Sequence, residues 1–198
     1  GWKALRSTGM LLLVTGLLYG CATEQTRKVE TPLNKPVTAA VITPAVRADF
    51  DAAMSHIKAE EYDAAIELLS KVVKAVPNAA PASINLALAY KKTGKLKQAE
   101  ESLQLALNAE PDNPVANNEL ALLYRKTGRF AQARQIYEKM LDKYPNYRII
   151  HKNLGILCDL YMKDYECALK HYGLYSEVVQ DDKTVKIWIA DVQKRSGK

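Results

Sequence analysis

The sequence predicts an all-α fold made of stacked helix–turn–helix units, and three observations carry that prediction. The first is internal repetition. Tyr62-x-x-Ala65, Leu96-x-x-Ala99 and Phe130-x-x-Ala133 recur at intervals of 34 residues, as do Pro77, Pro111 and Pro145. The second is spacing: apolar residues fall three or four apart within each unit, and Gly94 and Gly128 divide the second and third units in half. The third is composition. Apolar residues make up 48% of the chain, rich in Ala and Leu with only 2 Phe, which suits close-packed helices better than sheets of β-branched residues. A hairpin of this length cannot bury its own apolar face, so the units must stack.

The elements follow in order along the chain. Lys3 and Arg6 precede the apolar stretch Met10 to Leu18, and Tyr19, Gly20 and Cys21 come next. A charged start, a short apolar middle and a small residue before the cut describe a secretory signal over 1–20. The apolar run is shorter than the roughly 20 residues a membrane span needs. Residues 21–46 show no periodicity, and Pro32, Pro36 and Pro44 are expected to interrupt any helix, so this stretch reads as a flexible tether. The repeats are expected at 47–79, 80–113, 114–147 and 148–180, roughly 150 residues with the tail, enough for one proper core.

The first unit carries Glu60 where the others carry a turn glycine. The fourth has His151-x-x-Leu154-Gly155, then Tyr165-x-x-Ala168 and Tyr172, with one extra residue before its turn and Gln180-Asp-Asp in place of the closing Pro. Asp181 or Asp182 is placed to cap a last helix over 181–198. There Val185, Trp188, Ile189 and Val192 form one apolar stripe, with Lys183, Lys186, Lys194 and Arg195 outside it. Such a helix closes the exposed end of a solenoid.

These landmarks resemble the tetratricopeptide-repeat (TPR) family, over about residues 47–196. The resemblance implies a right-handed superhelical solenoid of about four repeats plus a C-terminal capping helix. It also implies that small residues pair across each hairpin, as Ala53 with Ala65, Ala87 with Ala99 and Ala121 with Ala133. First helices of this family line a groove for peptides or partner helices. The groove positions here are Phe50, Met54, Ile57 and Lys58, then Ile84, Asn85, Leu88, Lys91 and Lys92. Asn118, Glu119, Leu122, Arg125 and Lys126 follow, and then Lys152, Ile156 and Asp159. The picture is an apolar floor of Met54, Leu88, Leu122 and Ile156 with a basic rim, suited to an acidic-amphipathic segment or a peptide strand. The rim cations also end their helices, where positive charge is favoured without any ligand. The carboxylate clamp of chaperone-binding relatives is not expected, because Phe50, Met54, Val115 and Glu119 occupy four of its positions and only Asn85 fits.

Leu18 to Cys21 resembles the lipobox of bacterial lipoproteins, in which Cys21 becomes the acylated first residue, and Ala22 in place of Asp implies delivery to the outer membrane. Several acyl chains make a firm anchor, at roughly 0.8 kcal/mol per buried methylene. The layout resembles outer-membrane TPR lipoproteins that help assemble pilus secretins. The block from Asn153 to Ala190 is similar to TPR proteins of TonB-type systems. Both resemblances imply a lipid-anchored, non-catalytic adaptor with a protein partner in the envelope. A stand-alone peptide- or cell-wall-binding module is the alternative, for which Tyr147, Tyr161, Tyr172 and Tyr175 are the candidate patch.

Other chemistry is sparse. Net charge is +6 without a dense basic run or interleaved aromatics, which argues against nucleic acid as a partner. Apart from Cys21, the cysteines are Cys158 and Cys167, on opposite helices of the fourth hairpin. In an oxidising compartment they either pair or remain a core thiol and a half-exposed one. His56, His151 and His171 are scattered with no metal-binding spacing, so no metal or cofactor is expected, and His56 and His171 read as surface or groove residues. No nucleophile motif or phosphate loop is present, so no enzyme is expected.

Overall fold

The computed structural model describes residues 43–197. Cys21, the signal over 1–20 and nearly all of the stretch 21–46 lie outside the described residues. Among the described residues all regular structure is helical: α1 (Pro44–Lys58), α2 (Tyr62–Ala75), α3 (Ala80–Lys92), α4 (Leu96–Ala109), α5 (Pro114–Lys126), α6 (Phe130–Lys143), α7 (Arg148–Ile156), α8 (Tyr165–Val178) and α9 (Lys183–Ser196). Each helix packs mainly on its neighbours in sequence, as the hairpins α1–α2, α3–α4, α5–α6 and α7–α8, with α9 laid against α8. This is the solenoid that the repeats require.

One boundary differs from the sequence reading. Pro44 does not interrupt a helix; it starts α1. At the first helical position its missing N–H is not needed and its fixed φ already suits the helix. Thr43 caps it, its Oγ1 accepting the Val46 N–H at 3.3 Å.

The paired small residues Ala53, Ala65, Ala87, Ala99, Ala121 and Ala133 are all 0% exposed. Only small side chains allow two helix axes to approach to about 8 Å, so these positions set the hairpin geometry. In the fourth hairpin Gly155 takes the first role and Ala168 the second. A Cβ on Gly155 would lie 2.5 and 2.6 Å from ring carbons of Tyr172, so that ring uses the space an alanine would fill.

Every hairpin turns through one left-handed residue: Glu60 (φ 60), Gly94 (φ 76), Gly128 (φ 78) and Lys163 (φ 56). The residue after each of the first three donates its N–H back to the helix, Glu61 to His56, Lys95 to Tyr90 and Arg129 to Tyr124, closing the orphan carbonyls. The last turn comes one residue late. A π-helical segment, Leu157–Met162, continues α7 and absorbs the insertion, and the Asp164 N–H reaches the Cys158 carbonyl at 2.9 Å. From there the register of α8 matches the other second helices.

Of the two candidate caps for α9, Asp182 does the work, accepting the Val185 N–H at 3.1 Å. Val185 and Val192 are fully buried and Trp188 packs on Tyr172, while Ile187 points outward at 67% exposure. Ion pairs tie successive repeats. Arg129 grips Glu100 through two bonds of 2.8 and 2.6 Å while its guanidinium lies 4.0 Å from the Tyr124 ring centre. That pairing holds the Glu100 carboxyl below its ordinary range.

Candidate functional site

The ends of α1, α3 and α5 and the start of α2 enclose a cleft of about 480 Å³. Helical spacing explains its lining. Asn85, Leu88 and Ala89, with Lys92, follow an i, i+3, i+4, i+7 row on α3, and Glu119, Leu122 and Lys126 follow the same row on α5. Ile57 from α1 and Tyr62 from α2 close one end. Eight groove residues named from the sequence therefore meet here: Ile57, Asn85, Leu88, Lys91, Lys92, Glu119, Leu122 and Lys126.

The remaining groove positions are used otherwise. Ile84 is 2% exposed and belongs to the main core, so it cannot line a groove; an apolar side chain at that position folds inward. At the matching positions of the next two repeats the polar residues bond forward. The Asn118 side-chain oxygen accepts from Asn153 at 2.7 Å, and Lys152 donates to Asp182 at 2.8 Å. Phe50 and Met54 pack half-buried on the small core of Ala53, Leu69 and Leu86. Ile156 packs half-buried on the main core, beyond this cleft. Arg125 lies 5.7 Å from the Tyr161 ring centre, and its Nη1 is buried with no hydrogen-bond partner.

The rim is less basic than its lysines suggest. Lys91 is bonded to Glu119 within the cleft, so that charge is answered at home. Lys152 is answered by Asp182, whose carboxyl is pulled down to about 2 by the hydrogen bonds of Lys152, Tyr175 and the Val185 N–H. Lys92, 5.7 Å from the Tyr62 ring centre, and Lys126 remain as exposed cations at the cleft mouth. The arrangement is a short apolar trough edged by two lysines. It can hold an apolar side chain and attract a nearby carboxylate. Tyr62 and Ala89 were not singled out for the groove by sequence. The signal for Tyr62 was its place at the first position of α2, beside the turn.

Several other sequence readings find their place. Cys158 and Cys167 are joined as a disulfide with Cα atoms 5.9 Å apart. His56 is half-buried and bonds Glu61 at 2.6 Å. His171, expected on the surface or in the groove, is buried to 8% exposure and stacks on His151. Its burial comes from the contact of α8 with His151 of α7, which spacing along the chain does not record. Of the late tyrosines, Tyr172 and Tyr175 are core residues, Tyr147 is half-buried, and Tyr161 is 44% exposed and tilted on Phe130. They form no common platform.

Comparison with known proteins agrees with the repeat pattern. The family described as Tetratricopeptide repeat matches residues 56–123 and 101–154. Among solved structures the chain is similar to MamA of strain AMB-1, at 24% identity and TM-score 0.65, covering 77% of this chain and 82% of that one. It is similar to a tetratricopeptide repeat protein from Parabacteroides merdae at 20% identity and TM-score 0.72, covering 78% of this chain and 61% of that one. It is also similar to PilF of Pseudomonas aeruginosa at 21% identity and TM-score 0.67, covering 77% and 69%. No curated protein sequence matches the chain.

Proposed function

The chain belongs to the tetratricopeptide-repeat family, and from that premise we propose that it is a non-catalytic protein-interaction scaffold, held to a bacterial envelope membrane by lipid on Cys21. Its role would be to hold a partner during assembly or operation of an envelope machine, of the pilus and secretion type or the TonB type. The observation that carries the reading is the cleft between α1, α3 and α5, where Leu88 and Leu122 form an apolar floor and Lys92 and Lys126 an open cationic edge. That chemistry suits a partner segment with an apolar anchor followed by acidic residues. Two further features support the envelope location. A lipobox-like Leu18 to Cys21 follows a short apolar run. The Cys158–Cys167 bridge suits an oxidising compartment. The family is typically one of scaffolds.

The experiment is a crosslinked capture from membranes with the acylated chain, repeated with Leu88→Glu and Leu122→Glu. Both side chains are half-buried and Leu88 also packs against the main core, so circular dichroism checks that each variant stays folded. The proposal expects a defined envelope component to be captured and then lost in both variants. Capture that survives both substitutions would move the partner to another face. The membrane anchor is read separately: Cys21→Ser should release the chain from the membrane fraction.

A further inference from the structure

A second cleft, of about 390 Å³, opens between α6 and α8, with Asp164, Cys167 and His171 on its wall. The sulfurs of Cys158 and Cys167 and a carboxylate oxygen of Asp164 lie within 4.8 Å of one another. The two sulfurs are joined in the oxidised chain. Cys158 is fully buried, whereas Cys167 is reachable from the cleft.

Asp164 accepts the Cys167 N–H at 3.1 Å, and Arg134 donates to its other oxygen at 2.9 Å. Glu138, Asp142 and Glu166 join it around the cleft against only Arg134 and Lys170, so an entering cation meets a negative surround.

We propose that the reduced chain binds a zinc-class divalent cation through Cys158, Cys167 and Asp164, with water from the cleft as the fourth ligand, and that closing the disulfide expels it. Two thiolates and a carboxylate are ligands that suit tetrahedral zinc. The two states exclude each other because they use the same sulfurs. Reduction takes two electrons and two protons from a dithiol, which becomes a disulfide. Metal binding then releases the two thiol protons to solvent. In the reverse step an oxidising disulfide accepts two electrons from the thiolates and two protons from solvent, becoming a dithiol, the Cys158–Cys167 bond forms, and the cation leaves.

The test uses the full chain, reduced with a phosphine under anaerobic conditions and titrated with cobalt(II). The expected result is a thiolate-to-cobalt charge-transfer band that saturates at one equivalent and is displaced by zinc. Cys158→Ser should abolish it. Asp164→Asn should weaken binding about tenfold or more. The Asn variant keeps an acceptor for the α8 cap, and circular dichroism checks that each variant stays folded. The disulfide form should not bind. A reduced, folded chain without the band would overturn the proposal. So would a band unchanged in Asp164→Asn, which would mean that the sulfurs alone bind cobalt.

Discussion

Replacing Gly155 by alanine tests the central packing argument of the fourth repeat. Helix propensity alone predicts a gain of about 1 kcal/mol, because glycine is the poorer residue in a helix interior. The structure predicts a loss. The new Cβ would sit 2.5 Å from one ring carbon of Tyr172 and 2.6 Å from another, where ordinary contact needs about an ångström more. Tyr172 cannot swing clear: it is 1% exposed, packs on Trp188 and donates its hydroxyl to Asp159 at 3.3 Å. Overpacking against a fixed ring belongs near the top of the usual range, about 3 kcal/mol, which leaves a net loss of about 2 kcal/mol. Gly173, on the neighbouring α8, is the control. A Cβ there meets nothing within 4 Å, so Gly173→Ala should stabilise by about 1 kcal/mol. Urea unfolding followed by circular dichroism, with Trp fluorescence as a second probe near α9, reads both variants. Opposite signs are expected. If Gly155→Ala were as stable as the parent, the close approach of α7 and α8 at this position would be wrong.

Two further predictions concern the turns and the buried histidines. Glu60 holds φ 60 without being glycine, so Glu60→Gly should relieve backbone strain and stabilise by up to about 1 kcal/mol after the entropy cost, read by thermal melting. Gly94→Glu, at φ 76, should lower the melting point. The second concerns pH. Burial and the neighbouring His151 push His171 from 6.5 down to about 4, so the unfolded chain takes up a proton at a pH where the folded chain does not. Stability contributed by neutral His171 is thus complete above pH 6.5 and is lost as pH falls to about 4. The full shift is worth about 3 kcal/mol, and the solvent-open cleft edge leaves roughly 2. Urea unfolding at stepped pH should show this slope, and His171→Phe should flatten it.

Much of this protein was legible in its residues because a repeat prints local chemistry at a fixed interval. The hairpins, the left-handed turns at Gly94 and Gly128, the six buried alanines and the α9 stripe each depend on residues close in sequence or one repeat apart. Most of the cleft was legible for the same reason, since Asn85, Leu88 and Leu122 keep the same phase on successive first helices. Pairing across repeats was not. That Lys91 is spent on Glu119, that Lys152 is spent on Asp182 and that Ile84 turns into the core depend on how far each side chain reaches toward the next helix, which no period records. The fourth hairpin shows the division most clearly. Its extra residue was countable in the sequence. Only the packed structure decided that a π-helical segment would absorb it, and that Cys158, Asp164 and Cys167 would meet while His151 and His171 stacked. Those contacts are set by the geometry of three dimensions around one inserted residue, where the repeat rule stops applying.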